Sequence, residues 1–308
     1  MQTILISGGT GLLGSALTEM LTAKGYSVII LTRKARPSHG AVSYAEWDPA
    51  AGTIDLNAVQ QADHIVHLAG ANVADKRWTK KRKKEIVDSR VQSGELIAQT
   101  LQSHPNKVKS VISTSGIGWY GDDKIRPKEK NMFTEEDPAD TEYLGETCRQ
   151  WELSLKPVTA AGKRLVILRT GIVLSKAGGA LPSFVKPIRM GIAAILGNGR
   201  QMISWIHIDD ITRLFLYAIE QESMQGIYNA VSPQPVTNEH LVQGIAKKIK
   251  GKFCIEVNVP SFLLKLVLGE LSVEVLKSAT VSSGKVTRQG FQFLYPSMSV
   301  ALENLLKK

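Results

Sequence analysis

The chain begins with an apolar stretch that leads into a run of glycines and then into a helical pattern. Residues 3–7 are typical of a buried strand, residues 8–14 read Gly-Gly-Thr-Gly-Leu-Leu-Gly, and residues 15–21 have helical spacing. The first glycine can take a tight turn, the third lets the backbone approach a pyrophosphate, and the last allows helix and strand to pack closely. The order predicts the start of a dinucleotide-binding βαβ unit. The alternative is an ordinary glycine-rich turn.

The rest of the chain alternates between strand and helix patterns. Strands are predicted at 27–31, 42–46, 64–68, 110–114, 165–168 and 226–230. Helices are predicted at 79–102, 141–156, 206–220, 237–249 and 299–306, with loops and a short helix over 175–199. Strands that alternate with helices predict an α/β fold, a Rossmann-type doubly wound parallel sheet.

Ligands of such sheets bind beyond the carboxyl ends of the strands. The residues that follow the predicted strands are therefore the candidates for contact with a dinucleotide. They are Gly8, Thr10, Gly11, Leu12, Leu13, Thr32, Arg33, Leu68, Ala69, Gly70, Ser113, Arg169, Thr170 and Gly171.

Composition narrows the function classes. The chain has 308 residues, 43% of them hydrophobic, and two cysteines without metal-ligand spacing, so we predict no metal site. Its start as a core strand leaves no room for a signal peptide, and the apolar stretch 259–277 is interrupted by charges. We expect a cytoplasmic protein without a membrane span. The net charge is +10, and the basic run Lys80–Lys84 is predicted as the solvated start of a helix rather than a nucleic-acid patch.

The end of the second strand indicates which dinucleotide is bound. It carries Thr32, Arg33 and Lys34, and lacks the acid that would hold the ribose hydroxyls of NAD. An arginine can instead bind a 2′-phosphate. We therefore predict NADP(H) as the cofactor. The alternative is that these cations are ordinary surface residues.

A set of motifs in order carries a family resemblance. It consists of the glycine turn, His67-Leu68-Ala69-Gly70, Ser113-Thr114-Ser115, Trp119-Tyr120-Gly121, Trp151-Glu152, Leu168-Arg169-Thr170-Gly171 and Trp205-Ile206-His207. The chain resembles the extended short-chain dehydrogenase/reductases (SDRs), and more narrowly an atypical branch labelled "epimerase family protein" or cell-division-inhibitor homologue. The resemblance covers nearly the whole chain.

The resemblance implies two domains. Residues 1–170, with about 203–230, would form the NADP(H)-binding domain, and residues 171–202 and 231–308 a small, partly interleaved C-terminal α+β lobe for the substrate. Extended members of this class often pair as homodimers through two helices, so a homodimer is an open option. The expected partner is a small-molecule substrate.

In the wider family a serine after the fifth strand binds the substrate oxygen, a tyrosine on the next helix transfers a proton, and a lysine one turn later binds the nicotinamide ribose. Here Ser115 and Tyr143 are the predicted catalytic residues. The lysine position holds Thr147, which cannot supply a charge. Glu146 is an alternative acid or base.

The substrate-binding side also departs from the sugar-nucleotide enzymes, in which an arginine often grips the diphosphate. That place holds Ile203, which favours an apolar substrate beside Trp119 and Trp205 unless both are core residues. We predict an NADP(H)-binding oxidoreductase or epimerase that acts on a small carbonyl or hydroxyl compound. The alternative is an NADPH-binding sensor or regulatory protein with little catalysis, because the lysine is absent.

Overall fold

The computed structural model describes residues 1–34, 36–251 and 253–307. The strands are β1 (Thr3–Ser7), β2 (Ser27–Thr32), β3 (Val42–Asp48), β4 (Thr53–Ile54), β5 (His64–His67), β6 (Ser110–Gly116), β7 (Arg164–Thr170), β8 (Ile172–Ser175), β9 (Gly178–Gly179), β10 (Ile192–Leu196), β11 (Met202–Ile203), β12 (Trp205–His207), β13 (Gly226–Ala230), β14 (Val236–Thr237) and β15 (Ile255–Val259). The helices are α1 (Leu12–Ala23), α2 (Leu56–Gln61), α3 (Lys80–Ser103), α4 (Tyr143–Ser154), α5 (Pro157–Ala160), α6 (Leu181–Arg189), α7 (Ile208–Glu220), α8 (Asn238–Lys250), α9 (Ser261–Leu268), α10 (Leu271–Leu276), α11 (Gly284–Arg288) and α12 (Met298–Leu305).

One large sheet carries the strands in the order β13-β7-β6-β5-β1-β2-β3-β4. Its neighbouring strands are parallel, except for β3 and β4. Ser7 lies opposite both Leu31 and His67, so the carboxyl ends of β1, β2 and β5 lie side by side. The strand order changes direction between β1 and β5, which is where doubly wound sheets bind ligands. The predicted α/β doubly wound parallel sheet is confirmed.

Apolar side chains cover both faces of this sheet, as expected for parallel strands between two helical layers. Successive residues of β1 point to opposite faces, so Ile4 and Ile6 pack with α1 and α7, whereas Leu5 packs with α3. Leu17 of α1 and Phe215 of α7 are fully buried. Burial of each such side chain stabilises the fold by roughly 1.5–3 kcal/mol. This core holds the strand ends in fixed positions.

A second lobe is built from two separated parts of the chain. After β7 the chain forms β8, β9, α6 and β10, returns to the sheet with β13, and then forms the remaining helices. Strand β10 pairs in parallel with β15, and β11 pairs with β14. A third apolar cluster joins α6, α8 and α12 around Trp205. The predicted domain boundaries stay a prediction. The short helix expected within 175–199 is α6, but the rest of this segment is not only loop, because β9 forms a hairpin with β8 and β10 pairs with β15.

The basic run Lys80–Lys84 forms the first turns of α3. Its cations are partly neutralised, since Lys83 pairs with Glu270 and Lys84 lies 2.6 Å from Asp88. Such pairs offset the unfavourable position of cations at a helix N-terminus. Within the described ranges, no helix is both long and apolar enough to cross a membrane.

Candidate functional site

The glycine turn leaves the N-terminus of α1 open at the sheet edge. Gly11 is the N-cap of α1, and within the described residues no side chain bonds to the free amides of this helix end. The first turn of α1 contains no acidic residue. Unpaired amides and the positive end of the helix dipole make such a terminus suited to phosphate.

Two glycines hold the turn against its neighbours. Gly8 has φ +73°, and a Cβ there would lie 2.8 Å from the carbonyl carbon of Leu68. A Cβ at Gly14 would lie 2.3 Å from the carbonyl oxygen of Gly8. The turn therefore packs directly on the backbone that follows β5, and this close approach requires glycine.

The other predicted cofactor residues lie around this turn in two environments. Most of them are exposed or partly buried at the ends of their strands, namely Thr10, Leu12, Leu13, Thr32, Arg33, Ala69, Gly70, Thr170 and Gly171. The second lobe meets the turn, because a Cβ at Gly179 would lie 3.2 Å from a methyl carbon of Leu12. Ser113 and Arg169 are buried instead, and the Ser113 hydroxyl donates to the carbonyl oxygen of Thr114 at 2.9 Å. Their predicted contact with a cofactor stays a prediction.

Arg169 belongs to a buried ion pair at the end of β7. Its side chain is 1% exposed, and its Nε and Nη2 donate to the two carboxylate oxygens of Glu152 at 2.8 and 2.9 Å. The guanidinium also lies over the ring of Trp119, with Cζ 3.6 Å from the centroid, and Nη1 donates to the Tyr120 hydroxyl at 3.1 Å. Bidentate pairing of this kind fixes both partners in position.

Ser115 is attached to this ion pair. Its hydroxyl donates to Glu152 Oε1 at 2.8 Å, and the residue is 4% exposed. The predicted catalytic serine is therefore held by a carboxylate that is itself neutralised by an arginine. No role for Glu152 is predicted from the sequence, although Trp151-Glu152 is among the motifs of the resemblance.

Tyr143 is the first residue of α4 and lies against α3. Its hydroxyl donates to the carbonyl oxygen of Lys83 at 3.0 Å, and its ring meets Trp78 edge-on at 4.9 Å between centroids. Burial raises the pKa of Tyr143, so the phenol is neutral at neutral pH. Thr147 is buried, and its hydroxyl donates to the carbonyl oxygen of Tyr143 at 2.6 Å. The hydroxyls of Tyr143 and Ser115 thus have different partners.

Leu144 and Cys148 of α4 pack against the end of β6 and the turn that follows it, on the helix face that also carries Glu152. A Cβ at Gly118 would lie 3.2 Å from Leu144 Cβ and 3.7 Å from Cys148 Sγ. The thiol lies 3.6 Å from the carbonyl oxygen of Gly116. Burial raises the pKa of Cys148 to about 11, so this thiol keeps its proton at neutral pH. Leu144, Cys148 and Glu152 are spaced four apart on one helix face, and none of the three supplies a positive charge.

The other titratable residues near this site are not placed to act as an acid or base at neutral pH, because their environments shift their pKa values. Hydrogen bonds from Arg149 and Gln150 lower the pKa of Glu146 to about 2, so it is a carboxylate at neutral pH and has no proton to give. Burial lowers the pKa of His67 to about 3, and its ring nitrogens lie 2.7 Å from Ser7 Oγ and 3.3 Å from Ser93 Oγ. The described residues contain no cluster of ligands for a metal ion.

The second lobe buries the residues considered for the substrate side. Ile203 and Trp205 both belong to the apolar cluster of that lobe, and Trp205 is fully buried with its indole N–H donating to the carbonyl oxygen of Gln234 at 2.9 Å. Trp119 remains partly buried beside Arg169. Of the two tryptophans, only Trp119 therefore keeps a surface near the strand ends.

The sheet, its switch point and the open glycine turn define a Rossmann-type, NAD(P)-binding protein of the SDR class. The family model of the NAD-dependent epimerase/dehydratase family matches residues 4–230. The chain belongs to this family. A second model, a domain of unknown function named DUF1731, matches residues 259–305.

Individual relatives agree with this assignment. An epimerase family protein of Staphylococcus saprophyticus is 34% identical over 307 residues, which cover 99% of this chain and 100% of the relative. The crystal structure of the human epimerase family protein SDR39U1 (isoform 2) with NADPH has a TM-score of 0.87 and 27% identity over 100% of both chains. A UDP-N-acetylglucosamine 4-epimerase from Bacillus cereus shares the fold, with a TM-score of 0.76 and 18% identity over 99% of this chain and 98% of the other. The resemblance predicted from the sequence is confirmed.

Proposed function

We propose that this chain is an NADP(H)-binding oxidoreductase or epimerase of the SDR type that acts on a small carbonyl or hydroxyl compound. The observation that carries the proposal is the open N-terminus of α1 at Gly11, in the glycine turn whose Gly8 packs on the backbone of Leu68 and Ala69. Its free amides suit a dinucleotide diphosphate. The similar human protein was crystallised with NADPH, which supports the same class of ligand here.

The end of β2 favours NADP(H) over NAD(H). Arg33 is exposed just beyond this strand, and residues 32–34 contain no carboxylate that would repel a 2′-phosphate. A guanidinium binds phosphate through charge-assisted hydrogen bonds. When bound, the nicotinamide would give or accept a hydride, and the protein would position the substrate. Ser115 is the residue proposed to contact the substrate oxygen.

Titration of the purified protein with NADPH and NADH tests the proposal. Arg33→Ala should weaken NADPH binding about tenfold, equivalent to about 1.4 kcal/mol, and leave NADH binding within twofold. Lys24→Ala is the matched control, because Lys24 is an exposed cation at the other end of α1. Equal affinity for both nucleotides, or binding of neither, would contradict the proposal.

A second function is favoured by the face of α4 that meets β6. Leu144, Cys148 and Glu152 offer no cation there, which suits an NADPH-binding sensor or regulatory protein with little catalysis. A screen of carbonyl compounds that follows NADPH consumption separates the two functions. Turnover that Ser115→Ala abolishes while NADPH binding persists would support the enzyme. NADPH binding without turnover across the screen would support the regulatory protein.

A further inference from the structure

Arg90, near the middle of α3, presents a fixed cation at the end of β5. Its Nη1 donates to the carbonyl oxygens of Ala71 at 2.9 Å and Ile86 at 3.0 Å. Its Cζ lies 4.9 Å from the centroid of the Trp151 ring. These contacts use one nitrogen of the guanidinium and one face of its plane, so the remaining nitrogens have a defined orientation.

The guanidinium lies against the segment predicted to contact the cofactor. A Cβ at Gly70 would lie 3.1 Å from Arg90 Cζ and 3.3 Å from Nη1. Gly70 directly follows Leu68 and Ala69, the backbone on which Gly8 packs. Arg90 is therefore next to the glycine turn, at the switch point between β1 and β5.

The charge of Arg90 also reaches the start of α4. It lowers the pKa of Cys148 and the pKa of Tyr143, in each case against the larger effect of burial, which raises them. The guanidinium therefore lies near the first two turns of α4. It supplies positive charge from α3 where α4 supplies none.

Other inward-facing arginines have their charge compensated. Arg169 pairs with Glu152, and Arg213 lies 3.0 Å from Asp210. Arg164 donates to three carbonyl oxygens at and beyond the end of α7, which carries the negative end of a helix dipole. Arg90 forms no ion pair with any carboxylate in residues 1–34, 36–251 and 253–307.

Two nitrogens of Arg90 are free to bind a ligand. In the described part of the chain, Nε and Nη2 donate no hydrogen bond to the protein, and neither is sealed from solvent. A partly buried guanidinium without a carboxylate partner is electrostatically unfavourable. The parallel N–H groups of Nε and Nη2 match the two oxygens of a carboxylate or phosphate.

We propose that Arg90 binds an anionic oxygen group in the cofactor cleft through Nε and Nη2. The group is a phosphate or a carboxylate, and it can come from the diphosphate of the dinucleotide or from an acidic substrate. This inference rests on the proposed function, because it places Arg90 in the same cleft. It makes α3 a ligand-binding element as well as a layer of the core.

The experiment compares wild type with Arg90→Gln and Arg90→Lys, and uses Arg149→Gln as the control, since Arg149 is an exposed arginine paired on the surface of α4. Dissociation constants for NADPH and NADH are measured first. Shifts in melting temperature with pyrophosphate alone, and with phosphate or oxalate added to the NADPH complex, are measured second.

Two results support the proposal and distinguish the sources of the anion. If Arg90 binds the cofactor diphosphate, Arg90→Gln weakens NADPH and NADH alike by about tenfold and abolishes the shift with pyrophosphate. If Arg90 binds an acidic substrate, cofactor affinity is unchanged, and the stabilisation of the NADPH complex by oxalate or phosphate disappears. Arg90→Lys should retain part of the anion binding in either case, because lysine keeps the positive charge but cannot form the two parallel N–H hydrogen bonds of the guanidinium.

The proposal is overturned if a folded Arg90→Gln keeps both nucleotide affinities within twofold and all anion shifts. If Arg90→Gln does not fold, Arg90→Lys decides: affinities and shifts equal to wild type overturn the proposal. If the wild-type protein binds neither nucleotide, the proposed function is refuted. The change in its melting temperature with pyrophosphate then tests anion binding by Arg90 separately. Absence of that shift as well overturns both.

Discussion

Two parts of the same sheet edge are built in different ways. At the ends of β1 and β5 the backbone makes the site, since Gly8 and Gly14 allow close packing and the amides of α1 remain open. At the ends of β6 and β7 side chains make it, through the network of Ser115, Glu152 and Arg169. The first part offers a phosphate ligand a fitted backbone and the positive end of a helix dipole. The second depends on the chemistry of individual residues.

The difference explains why family membership fixes the ligand class more firmly than the reaction. A glycine turn keeps its amides whatever surrounds it, so dinucleotide binding survives large changes elsewhere. A catalytic pair depends on two side chains of one helix, and here Thr147 stands at the position where the wider family has lysine. The following predictions test each part of the edge and the boundary between them.

The largest effect is expected at Glu152. Glu152→Gln leaves the buried guanidinium of Arg169 without a counter-charge, which should lower the free energy of unfolding by about 3–5 kcal/mol. Chemical denaturation measures this change. Arg149→Ala, which removes an exposed ion pair with Glu146, should cost less than about 1 kcal/mol. Similar losses in the two variants would show that burial of the Glu152 pair has little energetic weight.

An effect of intermediate size is expected at the glycine turn, where one variant should lose stability and another should lose NADPH affinity. Gly14→Ala places a methyl group 2.3 Å from the Gly8 carbonyl oxygen and should lower the free energy of unfolding by roughly 1–3 kcal/mol. At Gly11 a Cβ meets only the Gly8 oxygen, at 3.4 Å, so Gly11→Ala should fold normally. It should nevertheless weaken NADPH binding, because the added methyl group would lie at the helix N-terminus proposed to hold the diphosphate. Thermal melting and NADPH titration of both variants check the contrast, and wild-type affinity in Gly11→Ala would contradict it.

The smallest effect is expected at Tyr143. Tyr143→Phe removes a hydrogen bond to the carbonyl oxygen of Lys83 and should cost about 0.5–1.5 kcal/mol of stability, with NADPH affinity unchanged. Denaturation and cofactor titration measure the two quantities. A large loss of turnover at unchanged stability would instead place the phenol at the reacting atoms, against its observed position beside α3.

The part of the edge at β1 and β5, which is formed by backbone, could be predicted from the sequence. The part at β6 and β7, which is formed by side chains, largely could not. Residues 3–21 could be assigned in advance because glycine spacing and apolar periodicity are local signals. The position of Tyr143 depends on where α4 begins relative to α3 and β6, and a shift of one residue moves a side chain by about 100° around a helix. Glu152 and Arg90 were missed as site residues, because a charged residue on a helix gives no local sign that it faces inward.

Strand β13 completes the large sheet although the second lobe is begun before it. During synthesis β7 is an open sheet edge until residues 226–230 leave the ribosome, and such an edge invites pairing with other chains. Arg164, on β7, likewise lacks its hydrogen-bond partners until the end of α7 has been made, because it donates to the carbonyl oxygens of Ala218 and Ile219. The nucleotide-binding part is therefore completed only after β8, β9, α6 and β10, which begin the second lobe, have been made. The nascent chain reaches its native state only after both parts of the molecule have been made.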